Sequence, residues 1–182
     1  MNRKVRLVFG WAIVILLDVA ALSNQGIVMP RETGRWVRHP HKVLPVEDGP
    51  GDVRFAQEAF KDAKVHINLH VATDGAKAMA FLKGDGEPAN GPLPDLIVLD
   101  LNLPKKDGRE VLAVIKENLT LKSIPAVILT TSSSDADILL GYQLHTNCYI
   151  TKPVGLEGRL TVMQSIDSFW PSVVKPPEER RS

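Results

Sequence analysis

The sequence predicts an α/β domain: a doubly wound, five-stranded parallel sheet of (βα)5 form with strand order 2-1-3-4-5. Two observations carry this. Short apolar runs alternate with longer amphipathic stretches five times, and the central runs, above all Leu96-Ile97-Val98-Leu99, are apolar at every position. Strands that are apolar on both faces need helices on both faces, the arrangement of a buried parallel sheet.

The folded domain is expected to begin near Lys42. Lys42–Glu47 reads as a short strand, and Asp52–Ala63 as a helix with Val53, Ala56, Ala59, Phe60 and Ala63 on one face. Val65, Ile67, Leu69 and Val71 alternate with polar residues, giving a half-exposed strand, and Ala76–Leu82 a short helix. Gly84–Pro94, dense in glycine and proline, is a loop. Beyond it, Leu96–Asp100 is the third strand and Gly108–Asn118 a helix using Val111, Leu112 and Ile115. Ile124–Thr130 and Cys148–Thr151 are the last two strands. Between them, Asp135–His145 is a helix carrying Ile138, Leu139 and Tyr142. Leu156–Trp170 closes the domain with Leu160, Met163, Ile166 and Trp170 at helical spacing.

The flanks read differently. In residues 1–41, Arg3, Lys4 and Arg6 precede the apolar run Val8–Leu17, and Asp18 interrupts it before Val19–Ser23. That order fits a secretory signal, a marginal membrane anchor, or translated upstream sequence, and a proline- and arginine-bearing linker follows. Pro171–Ser182 is expected to be a mobile tail. With 182 residues, the chain has room for one domain of usual size plus extensions, without a full output module.

Formal net charge is +1, so the overall balance does not point to nucleic acid. The single cysteine, Cys148, excludes an internal disulfide and a cysteine metal cluster.

In a doubly wound sheet the ligand site lies at the carboxyl ends of the strands, where strand order reverses. Glu47 and Asp48 end the first strand and Asp100 the third, so three carboxylates converge there. Taken one at a time, each is an ordinary solvated strand end. Together they call for a cation, and oxygen donors suit Mg²⁺. Thr130 and Lys152 end the fourth and fifth strands, adding a hydroxyl and a fixed cation. A carboxylate nucleophile, a metal site, a hydroxyl and a lysine form a complete set for phosphoryl transfer.

The segments Val46-Glu47-Asp48, Leu96–Pro104, Asp107-Gly108, Leu129-Thr130-Thr131 and Thr151-Lys152-Pro153 resemble, in order and spacing, the flavodoxin-like receiver domains of two-component response regulators. The likeness runs from about Lys42 to Trp170. It implies that Asp100 accepts a phosphoryl group from a sensor histidine kinase. It also implies that Glu47, Asp48, Asp100 and the backbone carbonyl of Asn102 hold Mg²⁺. Thr130 would be the switch hydroxyl, Lys152 the phosphate-contacting cation, and Tyr149 the aromatic that turns inward with Thr130.

The loop Gly84–Pro94, the segment Leu144–Pro153 and Ser168-Phe169-Trp170 resemble a narrower group, the stand-alone regulators partnered with cyanobacterial phytochrome-type kinases. In that group a C-terminal extension supports dimerisation, so a homodimer is one expected state. The implied protein is a cytoplasmic, non-enzymatic phosphorelay element. Its output is contact with a downstream or phosphotransfer protein, without direct DNA binding, and residues 1–22 tether it to a membrane only if they act as an anchor.

Two departures bear on this. Pro45 lies in a central strand, where it removes an amide donor and is expected to weaken folding. Gly49 stands where the family often has a polar residue, and is expected to loosen the loop of the metal ligands. Two other readings remain: a receiver-like interaction module that works without phosphorylation, and a dehalogenase-type phosphatase. The latter needs a second aspartate where Asn102 stands, and Asn102 cannot exchange protons as a carboxyl does.

Overall fold

The computed structural model describes residues 41–61, 67–85 and 93–173. The N-terminal segment 1–40, residues 62–66 with the expected helix residue Ala63 and strand residue Val65, most of the Gly/Pro loop (86–92) and the last residues (174–182) lie outside the described residues, as do the expectations placed on them. Among the described residues five strands alternate with five helices: β1 His41–Val46, α1 Pro50–Lys61, β2 Ile67–Leu69, α2 Gly75–Lys83, β3 Leu96–Leu99, α3 Gly108–Glu117, β4 Ala126–Thr130, α4 Asp135–Gln143, β5 Cys148–Thr151 and α5 Leu156–Val173. All neighbouring strands pair in parallel in the order β2-β1-β3-β4-β5. This is the doubly wound flavodoxin-like fold that the apolar runs predict.

Alternation along the central strands divides the core in two. Leu44, Val46, Ile97, Leu99, Ala126 and Ile128 face the layer of α2 and α3, packing on Ala78, Leu82, Val111, Leu112 and Ile115. Val43, Leu96, Val98 and Val127 face the opposite layer, packing on Ala56, Ala59 and Phe60 of α1 and on Met163 and Ile166 of α5. A one-residue slip in any central strand would exchange these two sets.

Several boundaries move, each for a local reason. Helix α1 starts at Pro50, two residues before Asp52, because proline is preorganised for a first helical turn. Strand β4 starts at Ala126. Ile124 instead closes a turn by donating its amide to Leu121 O, and Pro125 offers only its carbonyl, to the Ile97 amide. Helix α5 runs three residues into the expected tail, ending at Val173.

Strand β2 stops at Leu69, short of Val71, and β1 meets the chain again only through the isolated bridge Val46 to Ala72. Pro45 accounts for the gap. Val43 O, Pro45 O and the Glu47 amide all bond toward His70 and Ala72, so the donor that proline lacks would have pointed into the β1–β2 seam. The loss falls on the edge strand, and the β1–β3 pairing runs unbroken from Val43 to Val46.

The expected apolar face of α4 is corrected. Leu139 and Tyr142 are 59% and 43% exposed, and Gly141 is the buried residue of this helix. A methyl group on Gly141 would lie 2.9 Å from Ile128 Cδ1 and 3.1 Å from Tyr149 Cδ2, so α4 approaches the sheet through a glycine and turns its larger apolar side chains outward.

Candidate functional site

The carboxyl ends of β1, β3, β4 and β5 deliver their next residues to one rim. Asp100 follows β3 and is 6% exposed, because β3 is central and fully buried up to Leu99. Its amide donates to Val46 O of β1, and its Oδ1 accepts the Asn102 amide at 3.0 Å. Lys152 follows β5, with its amide bonded to Thr130 O at 2.7 Å, so the lysine and the β4 threonine are fixed through backbone.

The Lys152 ammonium lies within a cage of three carboxylates. Its Nζ is 2.5 Å from Asp100 Oδ2, 2.5 Å from Glu47 Oε2 and 2.9 Å from Asp52 Oδ2, which occupies all three of its protons. Burial alone would pull this ammonium down, but the bonds from Asp100, Glu47 and Asp52 outweigh it and hold its pKa above the ordinary lysine value. Burial pushes the Glu47 carboxyl above the ordinary glutamate value, and the Lys152 contact returns only part of that cost.

The other oxygen of Glu47 accepts the Gly49 amide at 2.9 Å, and Gly49 O accepts from the Val53 amide. The backbone of Gly49 thus ties the loop at both ends. A Cβ there would stand 3.0 Å from Glu47 Oε1, so a small residue suits the contact.

The four expected metal ligands are brought together only in part. Glu47 and Asp100 meet around Lys152 while Asp48 is exposed, and among the described residues no group of three or more His, Cys, Asp or Glu side chains is arranged to hold a metal ion. The physical reason is charge. Carboxylates this close repel one another unless they share a cation, and here they share the Lys152 ammonium. The donor set, all carboxylate and carbonyl oxygen, still fits a hard divalent ion, provided the ammonium yields its contacts to Glu47 and Asp100.

Thr130 is fully buried, with its Oγ1 3.5 Å from Asn102 Nδ2 and 3.4 Å from the Ser132 amide. Tyr149 is half-buried and donates its hydroxyl to Ser132 O at 3.0 Å, so its ring is tied to the loop that follows Thr130. The same loop is anchored from α4: Ser132 Oγ donates to Asp137 Oδ2, and Asp137 pairs with Arg109 of α3 at 2.7 Å. Ser132 and Arg109 together hold the Asp137 carboxyl below the usual carboxylate range.

Two residues at this rim escape a reading of the sequence alone, Asp52 in the first turn of α1 and Arg159 in α5. They pair with each other, and Arg159 Nε also donates to Pro153 O at 3.1 Å. A charged residue at a helix start or on an amphipathic helix gives no signal of a partner 107 positions away.

The fold and this rim define a phosphoacceptor-type receiver, and comparison with known proteins agrees. The model of the response regulator receiver domain family matches residues 43–163. Response regulator Rcp1 of Synechocystis sp. is 50% identical over 138 residues, which span 76% of this chain and 94% of Rcp1. The probable methanogenesis regulatory protein FilR2 of Methanothrix harundinacea is 36% identical over 131 residues, covering 72% of this chain and 84% of FilR2. Among solved structures, the Mn²⁺-bound form of Rcp1 superposes with a TM-score of 0.73, covering 76% of this chain and 99% of that one. The phosphorylated cyanobacterial phytochrome response regulator RcpA, 48% identical, gives 0.74 at the same coverages. The chain belongs to the response regulator receiver domain family, and within it is similar to the cyanobacterial phytochrome regulators. It is thus a receiver of phosphorelay signalling. Among the described residues no helix is long and apolar enough to cross a membrane.

Proposed function

We propose that Asp100 is the phosphoacceptor and that the donor is the phosphohistidine of a sensor kinase of phytochrome type. The observation that carries this is the environment of Asp100: a nearly buried carboxylate with one oxygen on the Asn102 amide and the other on the Lys152 ammonium. An Asp100 oxygen attacks phosphorus, the P–N bond of the phosphohistidine breaks, and the imidazole leaves with the bonding pair. A bound Mg²⁺ would neutralise charge on the transferring oxygens, with Glu47, Asp48, Asp100 and the Asn102 carbonyl as its holders. Kinship with a protein solved with Mn²⁺ supports a divalent ion here.

Lys152 supplies the second positive charge, and Thr130 a hydroxyl donor once its side chain turns toward the phosphoryl oxygens. That movement breaks the present contacts of Thr130 and biases the loop held by Tyr149 and Asp137. The output is then a changed protein-contact surface, read by a downstream or phosphotransfer protein or by a second copy of the chain. Turnover of an external substrate is no part of this reading, since Asn102 stands where a dehalogenase-type phosphatase carries the aspartate that acts as general acid. The kinase histidine and its ATP place the domain in the cytoplasm, with a membrane tether through residues 1–22 as the variant of that view.

The test is intact mass of the full chain after incubation with Mg²⁺ and acetyl phosphate, beside Asp100→Asn. One Mg²⁺-dependent phosphoryl adduct, absent from the variant and labile to base, is expected. A folded protein that takes no adduct would refute the proposal and leave a phosphorylation-independent interaction module.

A further inference from the structure

The three carboxylates around Lys152 are not equivalent. Glu47 and Asp100 directly follow β1 and β3 and belong to the phosphoryl and metal chemistry proposed above. Asp52 lies on α1, outside that set, and is the one member of the cage with a second cation of its own, Arg159 Nη1. Arg159 also reaches the carbonyl of Pro153, the residue directly after Lys152. One guanidinium therefore fixes both the counter-ion of the lysine and the backbone that carries it. The two helices concerned share the Ala56, Phe60, Met163 and Ile166 core, so the pair stands on packed elements.

We infer that Asp52, aimed by Arg159, is a positioning residue for Lys152, holding the ammonium in the site when Glu47 and Asp100 turn to the divalent ion and the phosphoryl group. The inference rests on Asp100 as phosphoacceptor. In the resting site Asp52 is one of three anions on the lysine. In the loaded site it is the only one of the three not drawn to the divalent ion or the phosphoryl group, and its attraction there decides whether the buried ammonium faces the phosphoryl oxygens. An interaction stronger in the loaded than in the resting state favours loading. Arg159 acts through Asp52, so its removal has little left to change once Asp52 is gone.

The test is a double-mutant cycle on the full chain with Asp52→Asn, Arg159→Gln and the pair, titrated with beryllofluoride, a phosphoryl mimic, in saturating Mg²⁺. Asp52→Asn is expected to weaken mimic binding roughly two- to fivefold, the range of a partly exposed ion pair. Arg159→Gln weakens it less, Arg159→Lys restores part of the loss, and the double variant equals Asp52→Asn alone. Fully additive effects, or unchanged binding in Asp52→Asn, would overturn the inference. A second readout needs no metal or mimic: the ¹⁵N resonance of the Lys152 ammonium in the metal-free protein shifts in Arg159→Gln if Arg159 acts on Asp52. It stays put if the pair merely joins α1 to α5, which again overturns it. A wild-type chain that binds no mimic while this resonance still shifts would place the failure in the phosphoacceptor reading, with the positioning pair intact.

Discussion

Replacing Lys152 by methionine should destabilise the metal-free protein in a way that depends on pH and on divalent ion. The lysine side chain is 5% exposed, and its loss strands Glu47 and Asp100, whose side chains are 12% and 6% exposed. Removing one partner from a buried ion pair costs about 3–5 kcal/mol. A stranded carboxyl can escape by taking a proton, at about 1.36 kcal/mol for each unit between its pKa and the solution pH. For an ordinary glutamate at pH 7.5 that ceiling is about 4 kcal/mol, and Glu47, already pushed up by burial, lies under it. A deficit of about 3 kcal/mol at pH 7.5 follows. In the variant the native carboxyl binds its proton more tightly than the unfolded one, so native stability rises as pH falls, and about 2 kcal/mol should return by pH 5.5. Mg²⁺ at a hundred times its dissociation constant adds about 2.7 kcal/mol to whichever form it binds. The variant should respond at lower Mg²⁺ than the wild type, because no ammonium competes for Glu47 and Asp100. Urea unfolding at the two pH values, with EDTA or Mg²⁺, measures all of this. A deficit below about 1 kcal/mol at pH 7.5 with unchanged denaturant slope, or an equal deficit at pH 5.5, would refute the account of Lys152 as the cation that neutralises Glu47 and Asp100.

Gly108→Ala places a Cβ 2.1 Å from the Asp100 carbonyl oxygen, a backbone atom that cannot swing aside. It should cost about 1–3 kcal/mol or more in urea unfolding and slow acetyl phosphate labelling by displacing the acceptor. Asp137→Ala removes both the Ser132 and the Arg109 contacts at the start of α4. The loss should be about 1 kcal/mol, with faster amide exchange in residues 132–138. Asp74, held down by Lys105 and the Lys77 amide, and Asp137 both sit below the ordinary carboxylate range. Their contributions are present above the unfolded aspartate pKa and fade as pH falls through the lower native values, so acid unfolding of Asp74→Asn should show a weaker pH slope than the wild type below pH 4.

How far the sequence could be read depended on what each element packs against. Strand β3 was legible because Leu96–Leu99 is buried on both faces, and Asp100 because polarity returns abruptly where that burial ends. The site residues Thr130 and Lys152 followed from the same strand-end logic. The packing face of helix α4 was not legible, because it meets Ile128 and Tyr149 through Gly141, and a glycine contact leaves no trace in an apolar period. Asp52 and Arg159 were hidden for the opposite reason. Each is an ordinary surface choice on its own helix, and only the packing of α1 on α5 makes them partners. Asp48 was legible as one of a carboxylate pair, but that pairing says nothing about which side chain turns to the lysine, and Glu47 does.

Pro45 shows how a local rule is obeyed at a different place from the one expected. A proline in a central strand removes a donor, and β1 is central, yet the residues that bond toward β3 are Leu44 and Val46, while Val43, Pro45 and Glu47 bond toward β2 and the turn beyond it. The missing bond therefore lies in the edge seam, and β2 ends at Leu69. Pro45→Leu should supply the donor at the position facing His70 and extend β2 toward the Val46–Ala72 bridge. One backbone hydrogen bond is worth about 1 kcal/mol net, and the unfolded chain regains freedom that proline denied it, which offsets roughly half of that. The expected gain is thus about 0.5 kcal/mol, with slower amide exchange at residue 45 and at Ala72. The side chain also lines the cleft beside Phe55, Val98 and Met163, under Asp100 and Lys152, where leucine finds apolar neighbours. A stability gain without new protection at residue 45 would mean that the leucine acts by filling the cleft, and the seam argument would fall. Protection with no change in acetyl phosphate labelling would show that β1 already holds Glu47 in place through β3 and the Gly49 amide, without help from β2.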